Sequence, residues 1–375
     1  MLSSMLRELQ YLRRHKWDLS MLILAPLLIL VLFGSMFYAG KAEHLPIAIV
    51  DQDHSQLSRN ITQYLKQNQS VAVTIITQQT TEAEHLLNKT QIWGYVSIPE
   101  GAEQRLVKGE DAQIGIFYNQ SFYSIGNSIS GAMQLATYQA TANFLGEDYL
   151  QNLLPYLGTP TPHLKLSVLY NPDMNYEFFL EPFVIPAMLH LLLCCTVAFS
   201  VGQELKFKTV DQWLGNSPVS ALFGKILVHV IIICLWSWLW MFWMVAFRGW
   251  FIAGSVWLVL IAQFFMYFTY ACISSVIVLA TKNLNKSFGV IAVYGGSSLS
   301  FAGVTLPVNN APVFTRFWSE LLPYTPYVKL QTEQWVIGSS LSVSLLPLLI
   351  LLISACVYFG LGQWLLRKIQ KEPVT

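Results

Sequence analysis

The sequence predicts an α-helical integral membrane protein: six transmembrane helices, with an extracytoplasmic α/β domain and a long helix inserted after the first span. Three observations carry that prediction. Of 375 residues, 54% are hydrophobic and only 11% are charged, against about 25% charged residues in soluble domains. Six stretches reach the roughly 20 apolar residues that a bilayer crossing needs, at 19–40, 178–201, 222–247, 252–280, 287–306 and 342–366. A polar segment, 41–177, separates the first stretch from the second and changes the hydrophobic period.

Residues 1–18 read as an amphipathic cytoplasmic surface helix. Leu2, Met5, Leu6, Leu9 and Leu12 recur at helical spacing, and Arg7, Glu8, Gln10, Arg13 and Arg14 fill the opposite face. That pattern suits a helix lying along the inner membrane surface. Residues 19–40 form the first span. Their apolar run exceeds the usual signal-peptide core, and no small-residue cleavage site follows it.

Within 41–177, Ile47–Val50, Val71–Ile76, Trp93–Ile98 and Ile114–Tyr118 read as strands. Polar helical stretches at 55–66, 81–90 and 100–108 alternate with them, a pattern that favours a small α/β layer. A long helix over 122–155 then leads back toward the membrane. Asp51-Gln52-Asp53-His54-Ser55 has the look of a metal cluster, but a strand end followed by a helix cap from Asp53 or Ser55 explains it with less.

Residues 178–375 hold the other five spans. Lys and Arg sort to one side: the N-terminal cluster, Lys206, Lys208, Lys225, Lys282, Lys286, Arg367, Lys368 and Lys371. The opposite loops offer only Arg248, with Arg316 and Lys329 in a longer one. The positive-inside rule makes the first side cytoplasmic, with both termini, and places 41–177 outside. Localisation in the cell inner (plasma) membrane is the matching expectation.

Several chemistries lack a sequence basis. No Walker A pattern occurs, and no basic run suggests nucleic acid. The five cysteines, Cys194, Cys195, Cys234, Cys272 and Cys356, all lie in apolar runs, which suits small helical residues rather than redox or metal sites. Ion-coupled transporters place carboxylates near the bilayer midplane. Here Asp18 and Glu181 lie at the edges of spans, and only His190 and His229 titrate inside them. Each histidine fits an interhelical hydrogen-bonded residue better than a proton carrier. Energy for pumping would then come from another subunit.

These features, in order, resemble the ABC-2 family of transporter permeases, over nearly the whole chain. Leu45-Pro46-Ile47-Ala48-Ile49-Val50-Asp51-Gln52-Asp53-His54-Ser55 resembles the family's strand and acidic turn. Leu169-Tyr170-Asn171-Pro172, then Phe178-Phe179, Pro182 and Pro186, resembles its approach to the second span. After that span, Glu204, Thr209, Asp211, Pro218, Val219, Gly224 and Lys225 match the family's cytoplasmic pattern. The chain departs from it at Lys206, where an acid is usual, and at Lys208, where Gly is usual. Gly303 to Pro307, Pro312, and Pro323-Tyr324-Thr325-Pro326-Tyr327 resemble the family's external re-entrant hairpin, placed at 307–340.

The resemblance implies a permease subunit of an ATP-binding-cassette exporter. A second permease chain (an identical copy or a paralogue) would complete the pathway in the lipid bilayer, and a cytoplasmic ABC ATPase would drive it. This chain would bind no cofactor itself; ATP and Mg would sit in the partner ATPase. A periplasmic adaptor and an outer-membrane channel are further expected partners. The resemblance places ATPase coupling in the loop 202–220, on Glu204, Lys206, Lys208, Thr209, Asp211, Trp213 and Pro218. Arg7, Arg13 and Arg14 mark the surface helix, and Gly303, Pro307, Pro323 and Pro326 the hairpin. Two alternatives stand beside it: a membrane-anchored receptor or envelope assembly factor acting through the external domain, and an ion-coupled transporter using His190 or His229. Composition names no substrate, and drugs, lipids, glycans and peptides are all compatible with it.

Overall fold

The structure, a computed structural model of the chain, describes residues 2–40, 43–121, 123–145, 170–171, 175–215, 217–305, 308 and 310–371. The described residues of 1–38 and 170–371 form one compact unit, and those of 39–145 form another. The chain opens with α1 (Leu2–Arg14) and α2 (Lys16–Phe37), which meet at His15. Arg13 and Arg14 close α1 in its last turn, where cations complement the helix dipole.

The second unit is built on a four-stranded sheet. Its strands are β1 (Leu45–Asp51), β2 (Val71–Thr77), β3 (Gly94–Ile98) and β4 (Gly115–Tyr118), in the order β2-β1-β3-β4. β1 runs parallel to β2 and β3, while β4 is antiparallel to β3. The helices α3 (Gln56–Gln67), α4 (Thr80–Asn88) and α5 (Ala102–Val107) connect the strands, and α6 (Tyr123–Phe144) follows them. β1 is apolar on both faces because both are covered. Ile47 and Ile49 join a core with Leu57 and Ile61 of α3 and Met133 of α6, while Ala48 and Val50 pack with Ala83 of α4 and Tyr95. The part of the expected long helix beyond residue 145 lies outside the described residues, as do Leu169 and Pro172.

The acidic turn after β1 is a capping device. Ser55 Oγ accepts from Ser58 N–H at the start of α3 (3.1 Å). Asp53 caps a different helix: its carboxylate accepts from the N–H groups of Gly101, Ala102 and Glu103 at 2.7, 3.1 and 3.0 Å. Glu103 in turn accepts from Leu57 N–H at 2.9 Å, so α3 and α5 are capped reciprocally. Among the described residues no His/Cys/Asp/Glu group is disposed to hold a metal ion.

The first unit continues with α7 (Tyr176–Lys206), α8 (Val210–Leu214), α9 (Pro218–Ala246), α10 (Val256–Thr281), α11 (Leu284–Gly296), α12 (Ser298–Phe301), α13 (Val313–Leu321), α14 (Tyr324–Gln331), a π-helical segment Thr332–Ile337 and α15 (Leu341–Lys371). Five helices among the described residues are long and apolar enough to cross a membrane: α2, α7, α9, α10 and α15. The stretch expected as a span at 287–306 divides into α11 and α12. Gly295, Gly296 and Ser297 lie at the division, and the Ser297 hydroxyl bonds Tyr294 O (3.0 Å) and accepts from Trp318 Nε1 (2.9 Å). Glycine pairs and serine hydroxyls that bond the preceding turn weaken a helix at such a point.

Burial ranks the long helices. Within the chain, 72% of the α7 span is buried but only 11% of α2 and 22% of α15. α7, α9 and α10 are therefore the centre of the bundle, and α2 and α15 are its flanks. Asn175, Ser217 and Asn283 cap α7, α9 and α11 with their side chains, and Pro218 stands at the first position of α9, where its missing N–H costs nothing. All five cysteines are free thiols.

Candidate functional site

At the end of the bundle where α7 stops and α9 begins, α1 inserts its single acidic residue between them. Lys225 Nζ, about two turns into α9, lies 2.7 Å from Glu8 Oε2, 3.1 Å from Glu204 Oε1 and 3.0 Å from Ser200 Oγ. Ser200 donates to Glu8 Oε1 at 2.6 Å. Glu204 also accepts from Thr209 Oγ1 at 2.5 Å, and Arg7 approaches it at 3.4 Å. Nearby, the Tyr11 hydroxyl of α1 lies within hydrogen-bond reach of Gln203 Oε1 and Asp18 Oδ2 and donates its one proton to one of them.

Two carboxylates thus face two cations, and the cluster is electrically balanced. Glu8 and Lys225 are both nearly inaccessible to solvent. A buried ion pair persists only where hydrogen bonds satisfy the remaining lone pairs and protons, and Ser200 and Thr209 supply them. Burial by itself pushes the Glu8 pKa up. The attraction of Lys225 and His229, with the Lys225 and Ser200 hydrogen bonds, outweighs that and holds it below the usual carboxylate value.

The expected coupling residues divide between this cluster and the surface. Glu204 and Thr209 belong to the cluster. Lys206, Lys208 and Asp211 are exposed, with Phe207 between the two lysines 65% exposed. Trp213 is buried within its own chain, 5.3 Å from the Lys225 ammonium. Its ring is already desolvated against α9 within this chain. Lys208 and Gly215 adopt positive φ, which lets the chain turn sharply around α8.

The surface helix also differs from expectation in one respect. Glu8, assigned to the polar face, points inward, and of the apolar stripe only Leu12 is fully buried while Leu2 and Leu6 are exposed. Arg7 reaches the cluster edge, whereas Arg13 and Arg14 remain exposed. Lys225, counted as a loop charge, is an interior one. Sequence reasoning missed Glu8, Ser200 and Lys225 as a set. The available signal was a lysine inside an apolar span, four residues before His229 on the same face.

The two span histidines are interhelical. His190 contacts Pro186 O and Gly295 O, both at 3.3 Å, and lies against the Tyr270 ring at 4.2 Å. His229 contacts Lys225 O at 3.1 Å, and its Nε2 stands 3.8 Å from Glu8. In the expected hairpin, Gly303 has φ +84°, Pro323 immediately precedes α14 and Pro326 lies in its first turn. Pro307 lies outside the described residues. The segment after α14 meets the loop before α10: Gly254 N–H donates to Gln334 O, and Ser255 N–H to Gln334 Oε1, each at 2.8 Å.

Comparison with known proteins places the chain in a family. Residues 16–364 match the family described as ABC-2 family transporter protein. The chain is 23% identical over 364 residues to a protein of Escherichia coli K12 named probable multidrug ABC transporter permease YbhR, covering 92% of this chain and 93% of that one. It is also 23% identical over 236 residues to ABC transporter G family member 23 of Dictyostelium discoideum, covering 61% of this chain and 32% of that longer protein.

Proposed function

Because this chain belongs to the ABC-2 family of transporter proteins, we propose that it is the permease subunit of an ATP-driven exporter, working as a dimer with cytoplasmic ATPases in trans. The observation that carries the coupling scheme is the Lys225 cluster. It ties α1, α7, α9 and the turn at 207–215 into one body through short charged hydrogen bonds. Force applied to the exposed Lys206, Phe207, Lys208 and Asp211 is then passed to two central spans and not absorbed by a loose loop. ATP and Mg reside in the partner, and its closure supplies the motion.

The orientation follows from charge. Lys16, Lys206, Lys208 and Lys282 lie at the ends of α2, α7 and α10, and Gln363 of α15 donates to Pro218 O (3.3 Å), so these ends share one side. The positive-inside rule makes that side cytoplasmic in the inner membrane. The division of 287–306 still leaves six passes if α11 and α12 cross together. Cysteines placed at Gln69 and Asn310 label from outside intact cells, and one at Gln212 labels only after permeabilisation; external labelling at Gln212 overturns the topology. The apolar flanks of α2 and α15 are available to lipid and to a second permease chain. A periplasmic adaptor with an outer-membrane channel is compatible with this scheme and independent of it.

The deciding experiment is affinity purification of the chain from its own cells, with ATPase activity and a Walker A-containing partner sought in the eluate. Lys206→Glu combined with Lys208→Glu reverses two exposed charges and should weaken that association by about tenfold or more, with membrane levels unchanged. Full recovery of the ATPase with the double variant removes the docking role from this turn. Absence of any ATPase with the unaltered chain removes the exporter reading.

A further inference from the structure

The opposite end of the bundle holds a carboxylate that the coupling scheme does not use. Glu181, on the second turn of α7, has no solvent exposure. Its Oε2 accepts from Trp240 Nε1 at 3.1 Å, and its Oε1 meets no hydrogen-bond donor among the described residues. Glu177, one turn away, is fully engaged: Arg248 donates at 2.6 and 3.0 Å and Trp250 Nε1 at 3.0 Å. With Arg248 paired to Glu177, Glu181 is left as a carboxyl group without a cationic partner among the described residues.

Glu181 lines a cleft of about 510 Å³ between α2 and α9. Its other walls are aromatic and aliphatic, with Trp236, Trp240, Trp243 and Phe247 on one side and Leu30 and Val31 on the other. Gly34 stands on the α2 wall with open space where a side chain would project. A cleft of this size, apolar with one convergent polar group, has the form of a small-molecule site. An unpaired carboxylate buried among apolar groups is unfavourable by itself, and within a membrane such a residue marks a ligand or ion site. Indole faces attract organic cations through their quadrupole.

We propose that this cleft binds an amphipathic organic cation, an aromatic body carrying one ammonium or similar group, with Glu181 as its counter-ion. The ammonium stands at the Glu181 end of the cleft as its counter-ion, and the body lies against the tryptophan wall. A zwitterionic lipid headgroup fits less well, because Arg248, the one cation among the described residues lining the cleft, is taken by Glu177. The proposal deepens the permease reading by naming a class of molecule the pathway admits.

The test uses the full chain in nanodiscs and two probes of nearly equal shape. Dansylcadaverine ends in a primary ammonium; its N-acetyl derivative is neutral. Binding is read as tryptophan-sensitised dansyl emission, with empty nanodiscs subtracted. Saturable binding of the ammonium probe, about tenfold or more tighter than the neutral one, is expected, and Glu181→Gln should abolish that preference. Gly34→Leu, which fills the cleft without touching Glu181, should abolish binding of both probes and decides the matter if the glutamine variant does not fold. Equal affinity for the two probes, a preference that survives Glu181→Gln, or undiminished binding in Gly34→Leu overturns the proposal. Loss of ammonium-probe binding when phosphatidylethanolamine replaces phosphatidylcholine assigns the site to a lipid headgroup and also overturns it. Since the assay needs no ATPase, its failure is distinct from a failure to recover the ATPase partner.

Discussion

Lys225 Nζ and Glu8 Oε2 stand 2.7 Å apart across 217 residues of sequence, and both side chains are buried. Together with the Ser200–Glu8, Arg7–Glu204 and Tyr11–Gln203 contacts, this pair makes the N-terminal helix part of the bundle. Removing one partner leaves an unpaired buried charge, which costs about 3–5 kcal/mol. Lys225→Met should therefore release α1. Labelling of a cysteine at Leu12, now 3% exposed, should accelerate in that variant. Adding Glu8→Met to Lys225→Met should restore much of the protection; equal labelling in both variants would argue that the pair does not hold α1.

Trp213→Ala should reduce the stability of the isolated chain, by about 3–5 kcal/mol for a large buried aromatic, before any partner is considered. Trp213→Phe should recover most of it. Thermal unfolding in detergent without ATPase checks this. If the alanine variant unfolds like the unaltered chain yet loses the ATPase, the ring acts in docking and not in the fold.

Gly202 lets α7 approach α11. A Cβ there would stand 2.2 Å from Leu284 Cδ2, so Gly202→Ala must displace the Leu284 side chain or the helix that carries it, at about 1–3 kcal/mol. Leu284→Ala supplies the missing room. A double-mutant cycle on melting temperature should show Gly202→Ala less harmful in the Leu284→Ala background than alone; simple additivity would place the strain elsewhere.

Asp53 gives a pH signature to the sheet unit. Burial raises its pKa, but the hydrogen bonds from Ser55 and from the N–H groups of Glu103, Gly101 and Ala102 outweigh that and hold it below the usual value. A carboxyl whose folded pKa is depressed stabilises at pH above its unfolded pKa, about 3.9, and that contribution is lost as pH falls through the folded value. Protection factors of the α5 amides, corrected for intrinsic exchange, should therefore fall on acidification below about pH 4. Asp53→Ala should cost about 1 kcal/mol at neutral pH and flatten this acid dependence.

The apolar lengths of α2, α7, α9, α10 and α15, the alternating strands β1 to β4 and the basic side of the chain were legible in the sequence. Each is a local property: a run of about 20 apolar residues, a short β-prone run between polar helical stretches, or a sorting of Lys and Arg between loops. Ser55 before α3 was legible for the same reason, since a cap acts within one turn. The sequence could not say that Asp53 caps α5, that Glu8 turns inward, that Trp213 closes over Lys225, or that Glu181 keeps an empty oxygen beside Trp240. Those depend on which helices become neighbours, and in a bilayer that choice rests on side-chain packing and interhelical hydrogen bonds between residues far apart in the chain. An ionisable group inside an apolar run looks the same in sequence whether it is paired, as Lys225 is, or left without a cationic partner, as Glu181 is. Only the tertiary arrangement, by placing or withholding the partner, separates the two.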